Sequence, residues 1–124
     1  MRYLCIVYND DKKLDAMSKS EFDGLVAEHL AYDEEMRQNG QYVTSAALQP
    51  VHTATTVRVR NGKVSTTDGP FAETKEHLGG IILIEARDLN EAIQVAAKIP
   101  AARVGSIEVR PVWSLEQEPR AGRE

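Results

Sequence analysis

The order of strand and helix signals along the chain predicts an α+β fold with an antiparallel sheet and two helices on one face. Two nearly continuous apolar runs, RYLCIVY and IILIEA, are typical of strands buried on both sides. Each run is followed by a segment with helix-capping residues, and a hairpin signal lies between the two units. The resulting order, β-α-β-β(-β)-α-β, is that of a ferredoxin-like βαββαβ layer.

The first half of this pattern comes from residues 2–8 and from a long capped helix. Ser18 and Glu21 have capping-box spacing, and Met17 and Phe22 flank them at hydrophobic-staple positions, so the helix is expected to begin at Ser18. It is expected to end at Asn39-Gly40, where glycine can adopt the left-handed conformation. The segment NDDKKLDA before the helix is expected to be a polar loop, and YVTSAAL after it a second strand.

The second half contains the clearest local signal, a hairpin. TTVRVR and KVSTT flank Asn61-Gly62, the pair that a two-residue type I′ turn requires. Residues 81–86 form the next strand, and a second helix starts at Asp88, ends before Pro100 and turns an apolar set inward: Leu89, Ala92, Ile93, Ala96 and Ala97. SIEVRPVW is the last strand, at a sheet edge because it contains a proline. One domain is expected over residues 1–113, with a polar C-terminal tail over residues 114–124.

Composition and charge exclude several classes of protein. The 124 residues include 15 Lys and Arg against 19 Asp and Glu, a net charge of −4, without the basic face that nucleic-acid binding needs. No apolar stretch approaches the roughly 20 residues of a membrane helix. The N-terminus lacks signal-peptide features, so a cytoplasmic location is expected. The single cysteine, Cys5, lies in an apolar run and is interpreted as a packing residue.

Both faces of the predicted sheet require cover. The apolar run IILIEA indicates burial on both sides, whereas only two helices are available for one of them. A homodimer in which two sheets pack face to face would cover the second side.

Two polar residues interrupt the expected core-facing stripe of the first helix. At 100° per residue, the stripe comprises Phe22, Leu25, Val26, His29, Asp33 and Met36. His29 and Asp33 are four residues apart, so their side chains can touch, and Asp33 is expected to favour the protonated imidazole. From spacing alone they form a satisfied polar core pair, an acid–base site or two metal ligands; for the last, no third ligand with a recognisable spacing follows.

The stretch TTDGPFAETKEHLGG, residues 66–80, is expected to be an ordered loop. Gly69-Pro70 directs the backbone, Asp68 can accept backbone N–H bonds in a turn, and Phe71 is expected to attach the loop to the core. His52 and His77 are both expected to face solvent.

This stretch and its continuation IILIEARDLNEAIQVAAKIPAARVGSIEVRPV resemble the YCII-related family, in the branch named for its Asp-Gly-Pro-Phe motif. The resemblance covers residues 1 to about 113, and EHLAYDEEMRQNG matches the histidine-bearing first helix of the family. It implies a dimeric α+β barrel of ferredoxin-like subunits. It also implies a His–Asp active site in a cleft between helix and sheet, with lyase-type dehydrohalogenation of a hydroxylated aromatic as the known chemistry. Members of the branch are often encoded beside extracytoplasmic-function sigma factors.

Carried onto this sequence, the resemblance assigns the histidine role to His29 and the motif aspartate to Asp68, whereas helical spacing favours Asp33 as the partner of His29. Gly69, Pro70 and Phe71 are then candidate ligand-binding residues. One hypothesis is a cofactor-free acid–base enzyme acting on a small aromatic or carbonyl substrate. The alternative is a non-catalytic protein that binds a small ligand or a protein partner linked to a sigma factor.

Overall fold

A computed structural model of the chain describes residues 1–116. Its six strands are β1 (Arg2–Asp10), β2 (Tyr42–Ala47), β3 (Thr55–Arg60), β4 (Lys63–Asp68), β5 (Glu76–Glu85) and β6 (Gly105–Pro111). Its three α-helices are α1 (Asp11–Asp15), α2 (Lys19–Gln38) and α3 (Leu89–Ala97), and single 3-10 turns occupy Val51–Thr53 and Pro100–Arg103. The α+β, ferredoxin-like prediction is confirmed. Residues 117–124 of the predicted tail lie outside the described residues.

The helix ends follow their sequence signals. Ser18 accepts a hydrogen bond from the Glu21 backbone N–H, and the Glu21 carboxylate accepts one from the Ser18 backbone N–H, which completes the capping box of α2. Gly40 ends this helix with φ +73°, the conformation that glycine adopts without steric cost. Asp88 caps α3 by accepting from the Glu91 backbone N–H at 2.9 Å.

The five-residue helix α1 differs from the prediction of a polar loop. The side chain of Asp10 accepts hydrogen bonds from the backbone N–H groups of Lys12 and Lys13, so the chain turns into a helix as soon as β1 ends. Asp10 is 4% exposed and is buried by this capping arrangement.

The main sheet has the strand order β2-β5-β1-β6, all antiparallel. Among residues 1–116, the strands of the hairpin β3–β4 pair only with each other. The turn between β3 and β4 has positive φ at both Asn61 and Gly62, as the type I′ prediction requires. The central strands β1 and β5 pair from Arg2↔Glu85 to Asp10↔Glu76, with a register shift after Val7. β6 lies at an edge, where its proline was expected.

The core lies between the helices and one face of the sheet. β1 and β5 contribute alternating side chains to it, and α2 and α3 supply the opposing layer: Tyr3, Cys5, Val7, Ile82, Ile84, Met36, Ala92, Val95 and Ala96. Cys5 is fully buried, and burial raises the pKa of its thiol to about 11, in keeping with a packing role.

Parts of both predicted helix faces are wrong. Leu89 and Ile93 are about half exposed on α3, where Val95 is buried instead. On α2, Phe22 and Val26 are more than 40% exposed, and the buried side is centred on Met36. In each helix the spacing of the apolar residues was predicted correctly. The face that packs on the core, however, is rotated about the helix axis from the predicted one.

Candidate functional site

His29 and Asp33 lie one turn apart on α2, as predicted. Both residues are half-buried, at the border between the side of the helix that faces the core and the side that faces outward. Leu25 and Tyr32 flank them on the inner side and are also half-buried. The pair is therefore neither sealed in the core nor freely solvated, and a small molecule at the surface of α2 can approach both groups.

The electrostatic environment of His29 differs from the expectation. Burial lowers the pKa of the imidazole below its usual 6.5, although the carboxylates of Asp33 and Glu28 act in the opposite direction. Arg103 lowers it further and is held nearby by an ion pair with Glu28. Asp33 favours the protonated imidazole, as predicted, but desolvation outweighs the carboxylate, so the pKa is lowered overall. The lowered pKa favours the uncharged imidazole at neutral pH, which is the form that can accept a proton.

A hydrogen bond attaches the helix that carries this pair to the second helix. The Tyr32 hydroxyl donates to the backbone carbonyl oxygen of Val95 in α3 at 2.6 Å. Burial raises the pKa of Tyr32 to about 12, so the hydroxyl keeps its proton across the physiological range. Together with the buried side chain of Met36, this bond fixes α2 against the core on both sides of Asp33.

The Asp68-Gly69-Pro70-Phe71 segment begins at the last residue of β4. Gly69 has φ +100°, donates its N–H to the Ala54 carbonyl oxygen at 2.7 Å and accepts a bond from the Thr56 hydroxyl at 2.9 Å. The segment is thus an ordered turn, as predicted. Phe71 is 79% exposed, so the expectation that it attaches the loop to the core is wrong. Within residues 1–116, no hydrogen bond or ion pair joins Asp68 to His29.

A second His–Asp pair was missed by the sequence analysis. The Nδ1 atom of His77 lies 2.8 Å from the Oδ2 atom of Asp11, and the His77 side chain is only 16% exposed. The Nε2 atom of the same ring is buried without a hydrogen-bond partner in the described chain. His77 was expected to face solvent because it lies among charged residues of a predicted loop, whereas β5 starts at Glu76 and includes it. The helix-cap signal at Asp10 is the sequence feature that could have placed Asp11 beside His77.

The described residues 1–116 contain no group of three or more His, Cys, Asp or Glu side chains arranged to hold a metal ion. In the same part of the chain, no helix combines the length and the apolar character that membrane crossing demands.

The family model of the YCII-related domain matches residues 1–116. The chain belongs to the YCII-related family. A relative in Rhizobium meliloti (strain 1021) is 37% identical over 114 residues, which cover 90% of this chain and 92% of the relative, and it is itself described as uncharacterized. Family membership, expected from the motif segment and the first helix, is confirmed.

This YCII-related protein also resembles a solved enzyme in fold. The 5-chloro-2-hydroxyhydroquinone dehydrochlorinase from Burkholderia phenoliruptrix AC1100, solved in complex with 2,5-dihydroxybenzoquinone, superposes with a TM-score of 0.54. The match covers 95% of this chain and 99% of the enzyme, at 16% sequence identity. At that identity the likeness shows a shared fold.

Proposed function

We propose that the protein is a cofactor-free acid–base enzyme of the lyase or isomerase type, acting on a small hydroxylated aromatic or carbonyl compound. The observation that carries this proposal is the position of His29, a half-buried imidazole that lies one helical turn from the Asp33 carboxylate and whose pKa is lowered by burial. A base of this kind can take a proton at pH 7, and a nearby carboxylate stabilises the cation that forms.

The proposed reaction needs no external oxidant or reductant. His29 accepts a proton from a substrate hydroxyl, and the electron pair left on that oxygen forms a carbonyl bond. The proton then returns to a ring carbon, which completes an isomerisation. In an elimination, that ring carbon bears the leaving group. His29 then takes the proton of a second hydroxyl, whose electron pair forms another carbonyl bond, and the ring double bond shifts as the leaving group departs with its bonding pair. Asp33 stabilises the imidazolium between these steps, and Asp68 is a second candidate for that role.

The turn that follows Asp68 is proposed to cover the bound substrate. Phe71 projects into solvent and offers an aromatic face, while Gly69 and Pro70 fix the direction of the chain that carries it. The fold shared with a dehydrochlorinase supports a substrate of this class.

A homodimer is proposed as the working assembly. On the sheet face opposite the helices, β1 and β5 bring together four half-buried aliphatic residues by direct pairing, Leu4↔Leu83 and Ile6↔Ile81. A second copy would complete the burial of this face. The sigma-factor-linked partner and the cytoplasmic location stay predictions, and binding of a small ligand without turnover is the alternative to catalysis.

The test is a comparison of wild type with His29→Gln, using the exposed His52→Gln as the matched control. Thermal unfolding is followed with 2,5-dihydroxybenzoquinone and chlorinated hydroquinones, and chloride release is measured with the latter. A ligand at 100 times its Kd adds about 2.7 kcal/mol to stability. We expect wild type and His52→Gln to behave alike, and His29→Gln to lose about 10²–10⁴-fold in rate.

Chloride release that is unchanged in His29→Gln would remove this residue from the mechanism. Stabilisation by the ligands without any turnover would favour the binding alternative.

A further inference from the structure

The hairpin β3–β4 has two faces of opposite character. Directly paired residues share a face, so Thr55 and Asp68, Val57 and Thr66, and Val59 and Val64 lie together on one side. The other side carries Thr56, Arg58, Arg60, Lys63, Ser65 and Thr67. The side that carries Val57, Val59 and Val64 is termed here the valine face, and Asp68 of the motif lies at its end.

The valine face is exposed in the single chain. Val57, Val59 and Val64 are each between 57% and 69% exposed, and the hairpin pairs with no strand of the main sheet. Three solvent-exposed β-branched residues on one face of an isolated two-stranded ribbon form an apolar patch that favours a packing partner. The hairpin segment, residues 55–68, contains three basic side chains and one acidic side chain, a net charge of +2.

Helix α2 presents a second exposed apolar patch, here called the α2 stripe: Phe22, Val26 and Leu30, at 45%, 42% and 64% exposure. On a helical projection it is continuous with Asp33 and His29, because all five residues fall within about 100° of arc. The helix contains six acidic and two basic residues, a net charge of −4. The α2 stripe is therefore an apolar strip on an acidic helix, and it borders the candidate acid–base pair.

The two patches complement each other in charge and in length, yet both are exposed in one chain. Val64 to Asp68 spans about 14 Å of strand, at ~3.4 Å per residue. Phe22 to Asp33 spans about 16 Å of helix, at 1.5 Å per residue. If Asp68 lies midway between His29 and Asp33 along the helix, Val57 falls over Val26 and the Val59–Val64 pair over Phe22.

We propose that the partner of the valine face is a second copy of this chain: the hairpin of one subunit packs along the α2 stripe of the other and places Asp68 beside the partner subunit's His29. In the dimer proposed above, whose sheets pack face to face, two such contacts are related by the same two-fold axis, and each hairpin reaches around the sheet edge to the helix layer of the other subunit. In this arrangement both aspartates lie near one His29 side chain. Asp33 comes from the same chain as His29, and Asp68 comes from the other chain. The role given to Asp68 rests on the proposed function, whereas the docking of the hairpin does not.

Cysteine cross-linking tests the docking directly, since the native Cys5 is fully buried. Equal amounts of Val57→Cys and Val26→Cys chains are mixed, oxidised and separated without reductant. A covalent heterodimer is expected, because the proposed docking places Val57 over Val26. A disulfide forms only when the two Cα atoms lie within about 7 Å, so the bond reports this contact. Ser65→Cys mixed with Val26→Cys is the matched control, since Ser65 lies on the opposite face of the hairpin and is also exposed.

A heterodimer that forms with Val57→Cys and not with Ser65→Cys supports the proposal. Equal yields from the two mixtures, or no heterodimer from either, overturn it. Circular dichroism of each variant verifies folding, and all three positions are at the surface.

Subunit mixing tests the role of Asp68 separately. If the aspartate acts across the interface, mixing His29→Gln with Asp68→Asn creates one intact site in each heterodimer, which restores about a quarter of the wild-type chloride release. If it acts within its own chain, no site is intact and the mixture is as slow as the separate variants. A wild type that shows no turnover removes the proposed function but leaves the cross-linking result in force.

Discussion

The hydrogen bond from Tyr32 to Val95 is the contact whose removal should be most informative for the candidate site. Tyr32→Phe deletes the hydroxyl that donates to α3 at 2.6 Å and leaves the ring in place. The Val95 carbonyl oxygen keeps one other donor, the backbone N–H of Lys98 at 3.2 Å. Because that acceptor is not left wholly unsatisfied, we expect a loss of about 1 kcal/mol, within the usual range for a single intramolecular hydrogen bond.

That loss converts to a measurable change in melting temperature. For 124 residues, an unfolding entropy of about 2.1 cal/mol/K per residue amounts to about 0.26 kcal/mol/K, so the midpoint should fall by about 4 °C. Thermal unfolding is monitored by circular dichroism, with a urea titration at 25 °C as the second measurement. The shift should be the same from pH 5 to pH 9, since the pKa of Tyr32 is raised to about 12.

Tyr42→Phe is the control, because the Tyr42 hydroxyl bonds to the hydroxyl of Ser45 only three residues away. Loss of this local bond between two rotatable groups should cost less than half as much. An unchanged midpoint in Tyr32→Phe would refute the reasoning, and would mean that other contacts of α2, such as the burial of Met36, hold it in place.

Three further predictions concern backbone space, protonation and pairing. Gly24→Ala should raise stability by about 1 kcal/mol in a urea titration, since an added Cβ meets no atom within 4 Å in the middle of α2. Gly105→Ala should lower stability by about 1–3 kcal/mol, because the Cβ would lie 2.1 Å from a backbone oxygen of β1. If Gly24→Ala and Gly105→Ala change stability equally, this account of the packing is contradicted. Burial lowers the pKa of His29 below 6.5, so the unfolded chain binds protons more readily and stability should fall as the pH drops through that value. The urea midpoint of His29→Gln should not fall over this pH range. If it falls with pH as much as that of wild type, His29 is not the cause of the pH dependence. A double-mutant cycle of His77→Gln and Asp11→Asn should give a coupling of about 0.5–1 kcal/mol, reduced by the partial exposure of Asp11, and strict additivity would mean that the pair does not interact.

Features determined by neighbouring residues could be predicted from the sequence. The start of α2 at Ser18, the end at Gly40 and the turn at Asn61-Gly62 each depend on side chains or backbone angles within four residues. The strand pairing followed from counting elements and applying connection rules, so the ferredoxin-like topology was accessible as well.

Features determined by distant residues could not be predicted in the same way. Helical periodicity placed His29 and Asp33 together, but the pKa direction depends on how deeply α2 packs and on Arg103, which is 74 positions away. Phe22 and Val26 belong to an apolar stripe by spacing, and only tertiary packing decides that they stay exposed. The His77–Asp11 bond joins residues 66 apart and needed the true start of β5.

The strand order has a consequence for synthesis of the protein. β1 is synthesised before β5 and β6, its two neighbours in the sheet, so Arg2 meets Glu85 only after more than 80 further residues have been made. At about 5–20 residues per second, the apolar run from Leu4 to Val7 waits several seconds without a strand partner. Such non-local pairing also slows folding. We therefore expect the nascent chain, more than the finished protein, to be the species that needs protection by a chaperone.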